Sequence, residues 1–259
     1  MISEFLCFSE QSNVLPFKIV RPAEDIRRLT DFTSSLARPP KQIELLKKIH
    51  LHCTVDCVDL QDDNVTYIGK TNCEVAKVTE FVNNNLNIKT DRWISGVQAY
   101  GNRIYVLIHD YDKNHVVVYD MNGEKIISWN HFSHSTNLNK LVVVAGRVVV
   151  PSGKTQTLTV YTTEGRLVKE IDCHDMISDE QKGLAVCGDD SVIVSDCYTN
   201  CVFRVNIDSG EVMWTSKHVQ YPQGVVCYKN RYVLVTNCNT DTRIWILDAD
   251  TGITHICRT

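Results

Sequence analysis

The chain reads as an all-β protein, a β-propeller of four-stranded blades. Three observations lead there. Glycines recur at steps of 42, 45 and 42 residues, at Gly123, Gly165, Gly210 and Gly252. Each sits in a polar turn between two short apolar runs, as in YDMNGEKIISW and NIDSGEVMWTS. The runs that open the clearest units, VVVAG, LAVCG and GVVCY, are almost continuously apolar. A period near forty residues with strand–turn–strand texture is the mark of propeller blades, small sheets that bury their faces only against their neighbours. Uninterrupted apolar strands suit that burial on both faces.

Taken in order, residues 1–40 carry no repeat and read as an N-terminal tail or linker. Within it, residues 25–36 predict a short helix, with Ile26, Leu29 and Phe32 on one face. Arg38-Pro39-Pro40 then stops it, because proline removes an amide donor and restricts the residue before it. The propeller is read over residues 41–259. Residues 43–51 read as a helix, or as a strand that completes the last blade and latches the ring. Five units follow. The first, about 52–90, is the least regular, with Asn83-Asn84-Asn85 where a turn glycine is expected; asparagine tolerates the left-handed backbone such turns need. The second predicts strands at 96–100, 104–110, 115–120 and 125–129. The third predicts them at 141–146, 147–151, 158–162 and 167–171. The fourth has 183–187, 191–196, 201–207 and 212–215, and the fifth 224–228, 232–237, 243–248 and 254–258. Outer strands carry Lys125, Lys169, Glu170 and Arg258, charges that discourage edge-to-edge pairing. Five units either close a five-bladed ring or form part of a truncated six-bladed one. The second is the preferred expectation, and an open ring would expose two apolar blade faces.

Composition narrows the classes. Among 259 residues, 43% are hydrophobic, so a packed core is expected and global disorder is not. The formal net charge of −4 lacks the basic excess that phosphate binding needs, which disfavours RNA and favours a protein partner. The eleven cysteines are an odd number and scattered, several inside apolar runs, as Cys187 and Cys227 are. They read as small buried hydrophobes in a reducing, cytoplasmic setting. MISEFLCFSEQ has neither the basic start nor the apolar core of a signal peptide. No apolar run reaches the length of a membrane span, so no membrane partner is expected.

Five of these features also carry a resemblance. The stretches GLAVCGDDSVIVSDCYTNCVFRVNIDSGEV and YPQGVVCYKNRYVLVTNCNTDTRIWILDADTG resemble NHL repeats: an apolar inner strand, a second strand ending in Asp, a polar hairpin, a third strand and a D-x-x-G-type turn. Tyr221-Pro222-Gln223-Gly224-Val225 looks like the opening of such a blade. The second-strand acid stands at Asp110 and Asp196, with Ser152 and Asn237 in its place in the third and fifth units. The resemblance covers about residues 43–259 and is nearest to the C-terminal propeller of animal tripartite-motif ubiquitin ligases. It implies a module that recruits a substrate protein or an RNA. The ligase chemistry of that family sits in a zinc-binding RING, and no C-x₂-C pair occurs here, so ligase activity is not expected of this chain.

Candidate chemistry is sparse. Asp110, Asp196 and Asn237 occupy equivalent strand ends at one rim. In gluconolactonase-like propellers such oxygens hold a divalent cation, which makes a metal-dependent hydrolase the alternative. Asp and Asn at these positions also bond to nearby backbone amides, a structural use. The cluster His50, His52, Cys53 and Cys57 splits between the two faces of a strand, so one tetrahedral metal site cannot use all four. Cys197 and Cys201 flank a hairpin and could join as a labile disulfide. The turns at Gly210 and Gly252 match quinoprotein tryptophan-docking motifs only in part, and no cofactor is assigned. Trp129 and Trp214, both in outer strands, suggest repeated packing between blades. The polar, aromatic loops containing Asp110, Tyr111, Asp112, Asp196, Tyr198 and Asn237 are therefore the expected partner-binding residues of a non-catalytic interaction scaffold.

Overall fold

The structure, a computed structural model, describes residues 3–6, 17–18, 44–45, 48–51, 55–62, 65–70, 74–79, 83–110, 113–131, 140–152, 155–178, 182–237 and 244–256. Four short strands come first: β1 (Ser3–Leu6), β2 (Phe17–Lys18), β3 (Glu44–Leu45) and β4 (Lys48–Leu51). Five four-stranded antiparallel blades follow, each a simple meander. Blade 1 is β5 (Val55–Asp62), β6 (Val65–Lys70), β7 (Glu74–Thr79) and β8 (Asn83–Lys89). Blade 2 is β9 (Trp93–Tyr100), β10 (Arg103–Asp110), β11 (Lys113–Asp120) and β12 (Lys125–His131). Blade 3 is β13 (Val142–Val144), β14 (Arg147–Ser152), β15 (Thr157–Thr162) and β16 (Leu167–Asp172). Blade 4 is β17 (Lys182–Val186), β18 (Ser191–Asp196), β19 (Cys201–Asn206) and β20 (Val212–Ser216). Blade 5 is β21 (Pro222–Tyr228), β22 (Tyr232–Asn237), β23 (Ile244–Asp248) and β24 (Thr254–Ile256). The blade strands expected from sequence therefore form, with ends shifted by a few residues.

Three expectations need correction or lie elsewhere. Residues 43–51 do not complete the last blade: β4 pairs with β1 and β3 with β2. Blade 5 already draws all four of its strands from residues 222–256, and the N-terminal segment brings strand partners of its own. Asn83-Asn84-Asn85 are not the turn of blade 1 but the first residues of β8, opposite Val78, Lys77 and Ala76. Residues 80–82, like the helix expected at 25–36 and the break at 38–40, lie outside the described residues. No helix of the described residues is long and apolar enough to cross a membrane.

The core is divided among the blade interfaces. Successive inner strands adjoin, β5 with β9, β9 with β13, β13 with β17 and β17 with β21. Strand alternation sends Ile104, Val106 and Ile108 toward blade 1, and Tyr105 and Leu107 toward blade 3. Phe203, Val205 and Cys201 of blade 4 meet Val149, Leu158 and Val160 of blade 3. Val225, Val233 and Val235 of blade 5 meet Ile193 and Val202 of blade 4. Each such side chain contributes about 1.5–3 kcal/mol relative to exposure, which explains the continuous apolar runs. Among the described residues, β21 and β5 share no packing comparable with that of the successive blades. Yet Leu234 and Ile246, on the face of blade 5 turned away from blade 4, are buried too.

A second set of contacts locks each outer strand onto the next blade. Gly165, Gly210 and Gly252 all have left-handed backbone (φ 80°, 83° and 69°). A Cβ on Gly165 or Gly252 would lie about 2.5 Å from ring atoms of Trp129 or Trp214 of the preceding blade, so bare backbone is what lets each ring dock. Ile171 lies against Gly210 less tightly, where an added Cβ would meet it at an ordinary contact distance of 3.7 Å. The packing between blades expected of Trp129 and Trp214 is thus observed. Just beyond the turns, the register of blades 2, 3 and 4 slips by one residue, skipping Ile126, Val168 and Met213. These three bulge residues are exposed. A bulge in an edge strand interrupts its row of free amides, which blocks pairing with another sheet.

Candidate interaction rim

Antiparallel register brings the start of each inner strand beside the end of the second strand. Trp93 lies opposite His109, Lys182 opposite Asp196 and Pro222 opposite Asn237. The B–C hairpins, between the second and third strands of each blade, and the connections between blades therefore share one rim. The glycine turns lie at the other.

In blade 4, Asp196 organises this rim from beneath. Its side chain is fully buried. Its carboxylate accepts hydrogen bonds from the Ser178 amide (2.7 Å) and hydroxyl (2.8 and 3.0 Å), and from the amides of Tyr198 and Thr199 (3.0 Å each). Charge-assisted bonds to amides are among the strong ones, so the loop is held firmly. Thr199 Oγ1 donates to the Met176 carbonyl (3.0 Å), tying the loop to the connection from blade 3. On the other side, the Tyr221 amide donates to Asn200 Oδ1 (2.7 Å). Asn200 and Tyr221 both adopt left-handed backbone (φ 52° and 50°), which is unfavourable for a bulky tyrosine. The result is a clamped loop presenting Tyr198, 61% exposed, beside Tyr221, 45% exposed. Asp196 supports this surface rather than forming part of it, a correction to its expected contact role. Its oxygens are engaged by the loop and by Ser178 of the connection from blade 3.

Blade 2 builds the same rim differently. Asp110 forms an ion pair with Arg92 (Nε–Oδ1 2.9 Å), and both are substantially exposed. His109 Nδ1–H donates to Asn114 Oδ1 (2.8 Å), and Trp93 stacks on the His109 ring at 6.5 Å between centroids. Trp93 is 61% exposed. Tyr111 and Asp112 lie outside the described residues. In blade 3, Ser152 is buried and accepts from Thr155 Oγ1 (2.7 Å). In blade 5, Asn237 ends β22, and its buried Oδ1 has no hydrogen-bond donor among the described residues. The structure thus places Asp110, Asp196, Tyr198 and Asn237 at one rim. Sequence reasoning missed Trp93 and Tyr221. Their signal was position: each is an aromatic at or just before the first residue of an inner strand.

The other candidates resolve as follows. Cys197 and Cys201 are buried and not bonded to each other, so the expected hairpin disulfide is not formed. Burial pushes the Cys201 thiol up to about 11 and that of Cys173 to about 12, which keeps both protonated and unreactive. A disulfide instead joins Cys187 to Cys227, with Cα atoms 5.4 Å apart. Both had been read as isolated buried hydrophobes. The missed signal is their spacing of 40 residues, one blade period, which sets them side by side on neighbouring inner strands. Among the described residues no group of three His, Cys, Asp or Glu could hold a metal; His52 and Cys53 lie outside them. A buried histidine also went unnoticed. His131 Nε2–H donates to the Pro151 carbonyl (3.3 Å), and Nδ1 accepts from the Tyr161 hydroxyl (2.9 Å). Desolvation lowers its pKa to about 4.

The chain matches no known family profile, and no curated protein shows significant sequence similarity to it. Solved structures do resemble it. A chain of the nidogen/laminin complex superposes with a TM-score of 0.65 at 14% identity, over 80% of this chain and 82% of that one. The WD40 β-propeller domain of Doa1 gives 0.57 at 14% identity, over 78% and 67%. Virginiamycin B lyase from Staphylococcus aureus gives 0.62 at 10% identity, over 78% and 69%. At these identities the likeness is one of fold, and it establishes the protein as a β-propeller.

Proposed function

We propose that the chain is a non-catalytic protein-interaction module whose B–C rim recruits a protein partner, in the manner of the substrate-recruiting propellers that its repeats resemble. The observation that carries this reading is the clamped Asp196 loop, which presents exposed Tyr198 beside exposed Tyr221. Aromatic anchors on rigid supports lose little conformational entropy on binding, and large amphipathic rings dominate protein interfaces. Trp93 extends the surface to blade 2, and Asp110 and Asn237 supply polar groups at its edge. The Tyr111 and Asp112 hairpin belongs to the same reading. The net charge of −4 favours a protein over RNA. Similar folds serve in a protein complex and in a lyase, so the fold alone does not choose between binding and catalysis.

The test is a paired affinity purification in cells, with the intact chain and a Trp93→Ala/Tyr198→Ala/Tyr221→Ala variant, both quantified by mass spectrometry. A Tyr100→Ala variant at the opposite rim serves as control. The reading expects one or more proteins lost with the triple variant and kept with the control. An unchanged set of proteins would refute it. Recovery of crosslinked RNA would move the reading to nucleic acid, and stoichiometric calcium in the purified protein would move it to the hydrolase class.

A further inference from the structure

The Cys187–Cys227 bond crosses from blade 4 to blade 5, between neighbouring inner strands, and both residues are buried. It is not the only link there. The Gly188 amide donates to Asn230 Oδ1 of blade 5 (2.9 Å). The buried Arg204 guanidinium reaches the Ala249 carbonyl (3.0 Å) and Asp250 (3.1 Å), and its other bonds go to Ser191 Oγ and the Cys187 carbonyl within blade 4. Trp214 Nε1–H donates to the Ala249 carbonyl (2.7 Å). The apolar interface of Ile193, Val202, Val225 and Val233 completes the junction. Two blades so joined stay together without the disulfide, so the bond can open and close without unfolding the sheet.

We propose that Cys187 and Cys227 form a redox-responsive clasp between blades 4 and 5, closed by exchange with a small disulfide such as oxidised glutathione. In the closing reaction, one cysteine thiolate attacks a sulfur of glutathione disulfide and releases a glutathione thiolate. The second cysteine thiolate then displaces the bound glutathione. The two protein thiols lose two electrons and two protons, and one glutathione disulfide becomes two glutathione molecules. Access comes from local opening. Inner-strand packing holds blade 5 to blade 4 alone among the described blades, so a displacement of blade 5 bares both sulfurs together. Burial between blades 3 and 4 holds Cys173 and Cys201 in the thiol form, which weakens their competition for the oxidant. In the reducing setting that the sequence suggests, the clasp is open at rest and closes under oxidation.

The experiment takes the full chain, reduced with dithiothreitol and then equilibrated with oxidised glutathione at neutral pH. Thiols are blocked with N-ethylmaleimide, the protein is digested, and peptides are mapped by mass. The clasp predicts a crosslink between the peptides of residues 187 and 227 that dithiothreitol reverses. It also predicts a melting temperature roughly 5–10 °C higher in the oxidised protein, as expected for closing a loop of this length in a domain of this size. Cys187→Ser removes the crosslink and the shift, and Cys197→Ser keeps both. The wild-type protein compared in its two redox states needs no variant to fold. A map without the 187–227 crosslink after oxidation overturns the proposal. So does a melting temperature that reduction leaves unchanged, or a shift that survives in Cys187→Ser.

Discussion

Asp110 and Asp196 end equivalent strands of blades 2 and 4, yet they do different work. Asp196 is fully buried and accepts from the amides of three residues and one hydroxyl. Asp110 lies in reach of water and forms an ion pair with Arg92. The same residue type at the same place in the repeat is thus a keystone in one blade and a surface charge in the other. What differs is the connection that precedes the blade. Residues 173–178 fold over Asp196 and bring the Ser178 amide and hydroxyl to it, whereas the connection before blade 2 brings the Arg92 guanidinium to Asp110. A repeat position does not fix a role; the groups that the neighbouring connection delivers do.

The largest effect should come from breaking the buried member of this pair. Asp196→Ala strips the acceptor from the Ser178, Tyr198 and Thr199 amides and should lower stability by about 3–4 kcal/mol, while Asp110→Ala should cost less than about 1 kcal/mol and depend on salt. Denaturant unfolding of both variants measures the contrast, and equal losses would remove it.

A second contrast lies in acid. His131, buried between blades 2 and 3, has a folded-state pKa of about 4, below the ordinary value near 6.5 of an unfolded chain. Between those values the unfolded state binds more protons, so stability falls as pH drops through 6.5 and has lost its full share by about pH 4. That share is about 3 kcal/mol, and His131→Gln should flatten this part of the stability–pH curve. Unfolding midpoints measured from pH 7 to pH 4 give the slope; a slope unchanged in the variant would assign it to other groups.

Next in size are the glycine turns. Gly252→Ala places a Cβ on the Trp214 ring and should cost about 2–3 kcal/mol. Gly101→Ala, also left-handed but with open space around the added carbon, should cost about 1 kcal/mol. The difference between the two melting curves isolates the docking contact from the backbone penalty.

The smallest expected effect compares the docked tryptophans themselves. Trp214 donates its N–H to Ala249, while the buried N–H of Trp129 has no acceptor among the described residues. Trp214→Phe should therefore cost about 1 kcal/mol more than Trp129→Phe. Thermal unfolding of the two variants checks the order, and a reversed order would mean that ring packing outweighs the hydrogen bond.

Much of the architecture was legible because it is written in local periodicities. The left-handed glycines at 123, 165, 210 and 252, the apolar run in RIYVLIHD and the unbroken apolar inner strands need only nearest neighbours to be read. The candidate rim was legible in part: Asp110, Tyr198 and Asn237 were placed by blade register. Trp93 and Tyr221 were missed, since exposure of an aromatic at a strand start depends on what the adjacent blade covers. The pairing of Cys187 with Cys227, the neutral His131 and the burial of Asp196 share that origin.

The sequence by itself determined the all-β blade, its strand order and its turn chemistry, because backbone stereochemistry and short apolar runs between glycine turns act within about forty residues. The tertiary structure alone decided which cysteines meet, which aspartate is enclosed and where β1 and β4 find partners. Those outcomes depend on how one blade is rotated against the next, a relation between residues a full repeat apart that no local pattern encodes.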